Sequence, residues 1–228
     1  MTDGVSIIMP AYNEAGNLRK AVTSAAAVCK NLGVGYEVII VNDGSTDGTG
    51  LIARSLAESN PRIRVIESAV NRGLGAGLKL GIAEARMRFV TLYPSDNEMS
   101  ARSFRDLILA RARAELVMAY MANPEARSPL RRLVSSVFVA GLNMCFGLSV
   151  RYYTGPFIAR TRLLRDARLV SDGVTILAEL RVKLARRNVK RIEIPFTFRM
   201  RRHGRASLFR FKTITQAAAT LVELFGRS

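Results

Sequence analysis

The chain has 228 residues, 49% of them hydrophobic and 23% charged, which suits one globular domain with a sizeable core and excludes a disordered chain. Lysine and arginine number 35 against 18 acidic residues, a formal charge of +17, so the surface will seek polyanions such as nucleic acid, anionic headgroups or phosphorylated substrates. The excess sits in residues 101–212, almost all as arginine, whose planar fork suits phosphate; residues 1–60 are nearly balanced.

In chain order, VSIIMPAY (5–12) reads as a strand, followed by a helical stretch that stops at Gly33. YEVIIVND (36–43) has the apolar run VIIV at its centre and reads as a strand buried on both faces. GSTDGT opens with turn chemistry and becomes a helix, and RIRVIES (62–68) is a third strand. NRGLGAG (71–77) is a glycine-rich loop feeding a helix. RFVTLYP (88–94) is a fourth strand, Ser100 is placed to cap the next helix, and ELVMAYM (115–121) is a fifth strand. The alternation predicts an α/β fold, a parallel-centred sheet with helices on both faces. After residue 122 the pattern changes to the basic loop NPEARSPLRR, a long apolar stretch, a helix across 172–188, a strand RIEIPFTFRM (191–200), a basic loop and an amphipathic C-terminal helix over 212–225. One domain over 1–228 is expected, with 1–122 and 123–228 as its halves.

The uncharged run 133–150 approaches the length of a membrane span, but its serines, glycines and Asn143 favour a buried or interfacial helix. MTDGVSIIMP shows no signal-peptide pattern. Cys29 and Cys145 lie far apart without a CxxC and read as small buried hydrophobes in a reducing cytosol.

Ligands of open α/β sheets bind beyond the carboxyl ends of the strands. Three strands end there in polar groups: Tyr12, Asn13 and Glu14 after the first; Asn42, Asp43 and Asp47 after the second; Asp96 and Glu98 in PSDNE after the fourth. Singly, Asp43-Gly44 is a good turn, Asp47 a good N-cap, and Asp96 could cap the following helix. Together, clustered carboxylates are tolerated mainly where a cation or a hydrogen-bonding ligand balances them. The glycines at 73, 75 and 77 form G-x-G-x-G rather than the dinucleotide spacing, so a close-packed turn explains them at least as well. His203, the only histidine, builds no zinc site and reads as a surface residue. No nucleic-acid motif accompanies the charge, and few aromatics interleave with the arginines.

VSIIMPAYNEAGNL, VNDGSTDGT and NRGLGAGLKLGIAEA, in that order and spacing, resemble glycosyltransferase family 2, and IPFTFRMRRHGRAS is similar to the R-x-x-G-x-S segment of its dolichyl- or polyprenyl-phosphate sugar synthases, with the serine one place late at Ser207. The resemblance implies a GT-A, Rossmann-like sheet with C-terminal helical additions. It implies transfer of a hexose or similar sugar from a nucleotide-diphospho-sugar to a polyprenyl phosphate, with inversion at C1. Pro10, Tyr12, Glu14, Asp43, Ser95 and Asp96 would then bind the nucleotide. Asp96, with Glu98, would hold Mg²⁺ or Mn²⁺. Pro94 replaces the first aspartate of the family's usual D-x-D, which leaves metal dependence open.

Arg199 and Arg201 would act with Asp96 in catalysis, neutralising charge on the leaving diphosphate. Arg127, Arg131, Arg132, Ser135 and Arg202 would meet the acceptor phosphate. A hydroxyl acceptor would need a general base, for which Asp172 and Glu179 are the nearest carboxylates; their plainer roles are a helix cap and an exposed helix acid. Many such transferases continue into transmembrane helices, and none follows to Ser228. The expectation is a cytoplasmic protein, peripheral on the membrane through its anionic surface, or one working with a membrane-anchored partner subunit. The competing readings are a glycan or other hydroxyl acceptor, and a degenerate protein that binds nucleotide sugar without turnover.

Overall fold

Successive residues of a strand point to opposite faces, and the first two strands use this to serve two cores. In β1 (Thr2–Ala11), Val5, Ile7, Met9 and Ala11 enter one core while Ile8 enters the other; in β2 (Tyr36–Asp43), Val38 and Ile40 oppose Ile39 and Val41. Strands covered on both faces are near-continuous apolar runs, which is how these two read. The computed structural model describes residues 1–96, 98–126, 128–187 and 189–197, without the side chains of Ala126 and Arg131.

The first core is closed by helices α1 (Leu18–Asn31), α2 (Thr49–Ser59) and α4 (Ala101–Ala110). The second is closed by α3 (Leu74–Glu84), α6 (Thr161–Asp166), α7 (Ile176–Ala185) and one side of α5 (Pro129–Phe146). With β3 (Ile63–Ser68), β4 (Met87–Leu92), β5 (Leu116–Met121), β6 (Phe157–Arg160) and β7 (Arg191–Phe196), the strands form one sheet in the order β3-β2-β1-β4-β6-β5-β7.

The sheet is mixed rather than wholly parallel. β6 runs antiparallel between β4 and β5, pairing Val90 with Ala159 and Val117 with Ile158. Its four residues, FIAR, are too few to carry a periodicity, so sequence reasoning passed over it. β7 ends at Phe196, so Thr197 already lies beyond the strand expected over 191–200, and residues 198–200 lie outside the described residues.

The long apolar run forms α5, and among the described residues no helix is long and apolar enough to cross a membrane. Phe138, Val139, Leu142 and Phe146 pack inward, whereas Leu130, Leu133, Val137 and Met144 stand in solvent. Asn143 anchors the helix end, accepting from the Tyr153 hydroxyl at 2.8 Å and bonding both backbone groups of Val150. Cys29 is buried as expected, but Cys145 is exposed, because it falls on the outer side of α5.

At the amino edge of the sheet, Glu37 is a buried carboxylate held by the Ser6 hydroxyl (2.6 Å), the Arg86 N–H (2.7 Å) and the Arg64 guanidinium (2.8 Å). Burial pushes its pKa up, but these donors together outweigh burial and hold it below the ordinary value of about 4.5. The folded state therefore binds fewer protons than the unfolded chain just below that value. Stability from this group is full above pH about 4.5 and is lost as pH falls through the folded pKa. Glu37→Gln should cost about 2 kcal/mol at neutral pH and flatten the acid limb of the stability curve, measured by urea unfolding between pH 3 and 7. An acid limb as steep as in the parent would contradict this role.

Candidate active site

The chain winds from β1 outward to β2 and β3, then crosses to β4 on the other side of β1. Such a switch point opens a crevice at the carboxyl ends of the two diverging strands. The crevice therefore lies between the loops after β1 and β4, with the end of β2 alongside. The Ser95 hydroxyl donates to the Pro10 carbonyl at 2.8 Å, clipping the two rims together.

The loops after β1 and β2 are joined in the same way. Asn13 adopts a left-handed conformation (φ 54°) and accepts from the Thr46 N–H at 2.9 Å, while its own N–H donates to the Ser45 hydroxyl. Asp47 accepts from the Thr49 N–H at 2.9 Å and the Ala15 N–H at 3.3 Å. Burial raises its pKa, and these bonds with that of the Thr49 hydroxyl outweigh burial and lower it. Glu14 is buried, with its N–H on the Thr49 hydroxyl and its carboxylate accepting from the Asn17 amide. Tyr12 stands largely in solvent at the rim.

Asp43, buried at the end of β2, accepts from the Arg72 N–H at 2.9 Å and the Gly73 N–H at 2.7 Å. It thus fixes the start of the glycine loop. Beyond it, Gly75 and Ala76 donate their N–H groups to the Asp172 carbonyl at 2.6 and 3.2 Å. A Cβ at Gly75 would lie 2.4 Å from the Ser171 carbonyl oxygen, so glycine is required there by the approach of that backbone. Two of the first amides of α3, those of Gly75 and Ala76, are spent on protein rather than offered to a phosphate. The close-packed turn, not a dinucleotide cradle, is what the glycines build.

After β4, the Asp96 carboxylate accepts from the Glu98 N–H at 3.1 Å, and both residues are partly buried. Asp96 does not cap the following helix. Ser100 does, accepting from the Ser103 N–H at 3.0 Å. Two carboxylates two residues apart suit Mg²⁺, which commonly takes one or two carboxylates and completes its shell with substrate phosphates and water. Among the described residues no group of three or more metal-ligating side chains occurs. The acids of the three strand ends are thus not one cluster awaiting a cation, since Asp43 and Asp47 are balanced by N–H donors.

Neither carboxylate considered as a general base has that setting. Glu179 is not an exposed helix acid but fully buried, accepting from the N–H groups of Val170 (2.8 Å) and Ser171 (2.9 Å) and from Lys183 (2.7 Å). Burial raises its pKa, and these donors, Lys183 foremost, outweigh burial and lower it. Asp172 pairs with Lys79 at 2.8 Å, and Lys79 also donates to the Val170 carbonyl. Glu179 ties the 170–173 segment to α7, and Asp172, with Lys79, ties it to α3.

Arg132 and Ser135 stand on the first turns of α5, and no hydrogen bond among the described residues joins them to the crevice. Arg127, Arg199, Arg201, Arg202, His203, the 212–225 segment and the side chain of Arg131 lie outside the described residues. Sequence reasoning missed Arg181, whose side chain is wholly buried in α7. In ILAELRVKLA, Arg181 falls among Leu177, Ala178, Leu184 and Ala185, while Glu179 and Lys183 share another side of the helix; a cation within the apolar arc was the available signal.

The profile of glycosyl transferase family 2 matches residues 6–164. Over 179 residues the chain is 28% identical to the undecaprenyl-phosphate 4-deoxy-4-formamido-L-arabinose transferase of Pseudomonas fluorescens, covering 76% of this chain and 52% of that protein. It is 28% identical over 152 residues to a dolichyl-phosphate beta-glucosyltransferase of Trichomonas vaginalis, covering 58% and 44%. The chain thus spans about half the length of these relatives. Its fold is shared with glucosyl-3-phosphoglycerate synthase of Mycobacterium tuberculosis in complex with Mg²⁺ and UDP, at a TM-score of 0.75 and 20% identity, covering 97% of this chain and 79% of that one. A family match over well over half of its length, on a GT-A-like sheet, makes this chain a member of glycosyltransferase family 2.

Proposed function

We propose that the chain transfers a hexose or similar sugar from a nucleotide-diphospho-sugar to a polyprenyl phosphate at a membrane surface. The observation that carries this reading is the position of Asp96. It stands at the switch-point crevice, and Ser100 rather than Asp96 caps α4. The relatives named for undecaprenyl- and dolichyl-phosphate transfer, and the structural neighbour solved with Mn²⁺ and UDP-glucose, support the same reading.

In this reading the exposed Tyr12 ring and Pro10 flank the base, with Glu14 nearby and Asp43 accepting from it in the lone-pair positions that Arg72 and Gly73 leave. Ser95 and Asp96 face the diphosphate. Asp96 and Glu98 would hold Mg²⁺ or Mn²⁺. The bound cation would neutralise charge developing on the leaving diphosphate. Arg199 and Arg201 would share that task.

The acceptor follows from acid–base requirements. A hydroxyl acceptor must lose a proton to a base, whereas a phosphate is already ionised. Glu179 is committed to three donors in the core, and Asp172 is ion-paired with Lys79, so neither favours a hydroxyl acceptor. Arg127, Arg131, Arg132, Ser135 and Arg202 are proposed to receive the acceptor phosphate. The exposed Leu130, Leu133, Val137 and Met144 of α5 suit contact with acyl chains.

Asp96→Ala should lower transfer of labelled sugar to undecaprenyl phosphate, tried with UDP-, GDP- and dTDP-sugars, by about 100-fold or more. Asp43→Ala should weaken nucleotide binding about tenfold, equivalent to 1.4 kcal/mol. Full transfer in Asp96→Ala would overturn the role given to PSDNE, and unchanged nucleotide affinity in Asp43→Ala would overturn the pocket.

A further inference from the structure

Among the described residues Arg181 is the largest fully buried side chain, and no carboxylate among them is ion-paired with it. Its guanidinium donates to three carbonyls instead. One is Leu177 in its own helix, at 2.9 Å; the others are Gly155 at 2.5 Å and Pro156 at 3.0 Å. Its Nε is buried with no hydrogen-bond partner among the described residues. Burial drives its pKa down to about 10, with the charges of Tyr152, Glu193 and Tyr153 opposing the fall, so it still carries a full charge at neutral pH. Burying a cation in this way costs several kcal/mol, and an apolar side chain of similar volume would commonly serve stability as well or better.

What the guanidinium holds is the 152–156 turn that leads into β6. Because β6 is antiparallel to β4, with Thr91 opposite Ile158, its amino end lies at the carboxyl edge of the parallel strands. Extended past the paired residues, that register would bring Pro156, Gly155 and Thr154 opposite Tyr93, Pro94 and Ser95, at the rim that carries Asp96. The Thr91 hydroxyl donates to the Phe157 carbonyl at 2.6 Å, and the Ala119 N–H donates to Pro156 at 2.9 Å. A Cβ on Gly155 would meet the Ala119 carbonyl oxygen at 2.3 Å, so the turn is seated without slack on β5. Thr154 is its partly exposed hydroxyl.

We propose that Arg181 is a positioning residue, which acts through the carbonyls of Gly155 and Pro156 to set the 152–156 turn as the wall of the active site opposite the β1 and β2 loops. The consequence for turnover rests on the transferase reading above; the consequence for the turn does not. A guanidinium is needed rather than any cation, because Nη1 must reach the Leu177 carbonyl while Nη2 reaches those of Gly155 and Pro156, fixed directions that an ammonium cannot reproduce. On the β1 and β2 side, Asp43, Asp47 and Asn13 hold the nucleotide rim independently of this turn.

The test compares the parent chain with Arg181→Met, Arg181→Lys and Gly155→Ala, by hydrogen-exchange mass spectrometry, nucleotide binding and transfer kinetics with undecaprenyl phosphate. Exchange in the peptide covering 150–158 should rise about tenfold in Arg181→Met while peptides over 5–15 and 36–50 keep parental rates. Nucleoside diphosphate affinity should stay within about twofold, kcat should fall and the KM for undecaprenyl phosphate should rise, with Arg181→Lys restoring little of either. Gly155→Ala, which leaves the buried cation in place, should give the same kinetic pattern and stands in if Arg181→Met does not fold. Exchange that rises evenly across the chain, or nucleotide affinity that falls together with transfer, would overturn the proposal. A parent chain that transfers nothing to undecaprenyl phosphate would refute the acceptor reading alone, since the exchange comparison still decides the role of Arg181.

Discussion

A parallel strand covered on both faces has almost no room for a polar side chain until it leaves the sheet. β2 shows the constraint directly: its interior is Val38 to Val41, and polarity returns at Asn42 and Asp43 where the strand ends. β1 and β4 obey it too, releasing Tyr12 and Glu14 in one case and Ser95 and Asp96 in the other. The exceptions are bonded locally, and inside β4 the Thr91 hydroxyl donates to the Phe157 carbonyl. Ser6 and Glu37 lie at the opposite edge, where Arg64 and the Arg86 N–H complete their bonding. Chemistry is thereby pushed to the carboxyl edge, and the crossover from β3 to β4 decides where along that edge the crevice opens.

The crevice is shaped by hydrogen bonds between loops more than by any one loop. Ser95 reaches Pro10, Asn13 reaches Thr46, Asp47 reaches Ala15, and Asp43 reaches the glycine loop. Each bond is modest alone, about 1 kcal/mol, but together they remove freedom from groups that would otherwise wander. The 170–173 segment adds a different restraint. By giving the Asp172 carbonyl to α3 and the Val170 and Ser171 amides to Glu179, it spends a helix N-terminus that could have bound phosphate. On the proposed reading, diphosphate recognition would fall to the β4 rim and to arginines, in keeping with a chain so rich in arginine.

The first five strands were legible because each holds β-branched or other apolar residues in a short run bounded by turn chemistry, and Ser100 was legible as a cap because serine precedes an amphipathic helix. The family resemblance was carried by strand ends and the loops that follow them, where residue identity is dictated by bonding rather than by bulk. What escaped were features that depend on distant partners. β6 is four residues long and owes its place to β4 and β5, which no local pattern encodes. Glu179 looked like an ordinary helix acid until Lys183 and the 170–171 amides surrounded it. Asp96 could not be separated from a helix cap by sequence, because Ser100 offers the same chemistry four residues later. Cys145 was misplaced for a related reason: an all-apolar stretch does not reveal which side of a helix faces inward.

The central claim is that the crevice between β1 and β4 binds a nucleoside diphosphate with a divalent cation at PSDNE. Isothermal titration of the parent chain with UDP, GDP and dTDP, each with and without Mn²⁺, tests it most directly. The account predicts that one of the three binds and that Mn²⁺ tightens it by about tenfold or more, a coupling of at least 1.4 kcal/mol. Binding of none of them, or binding of equal strength without the metal, would contradict it.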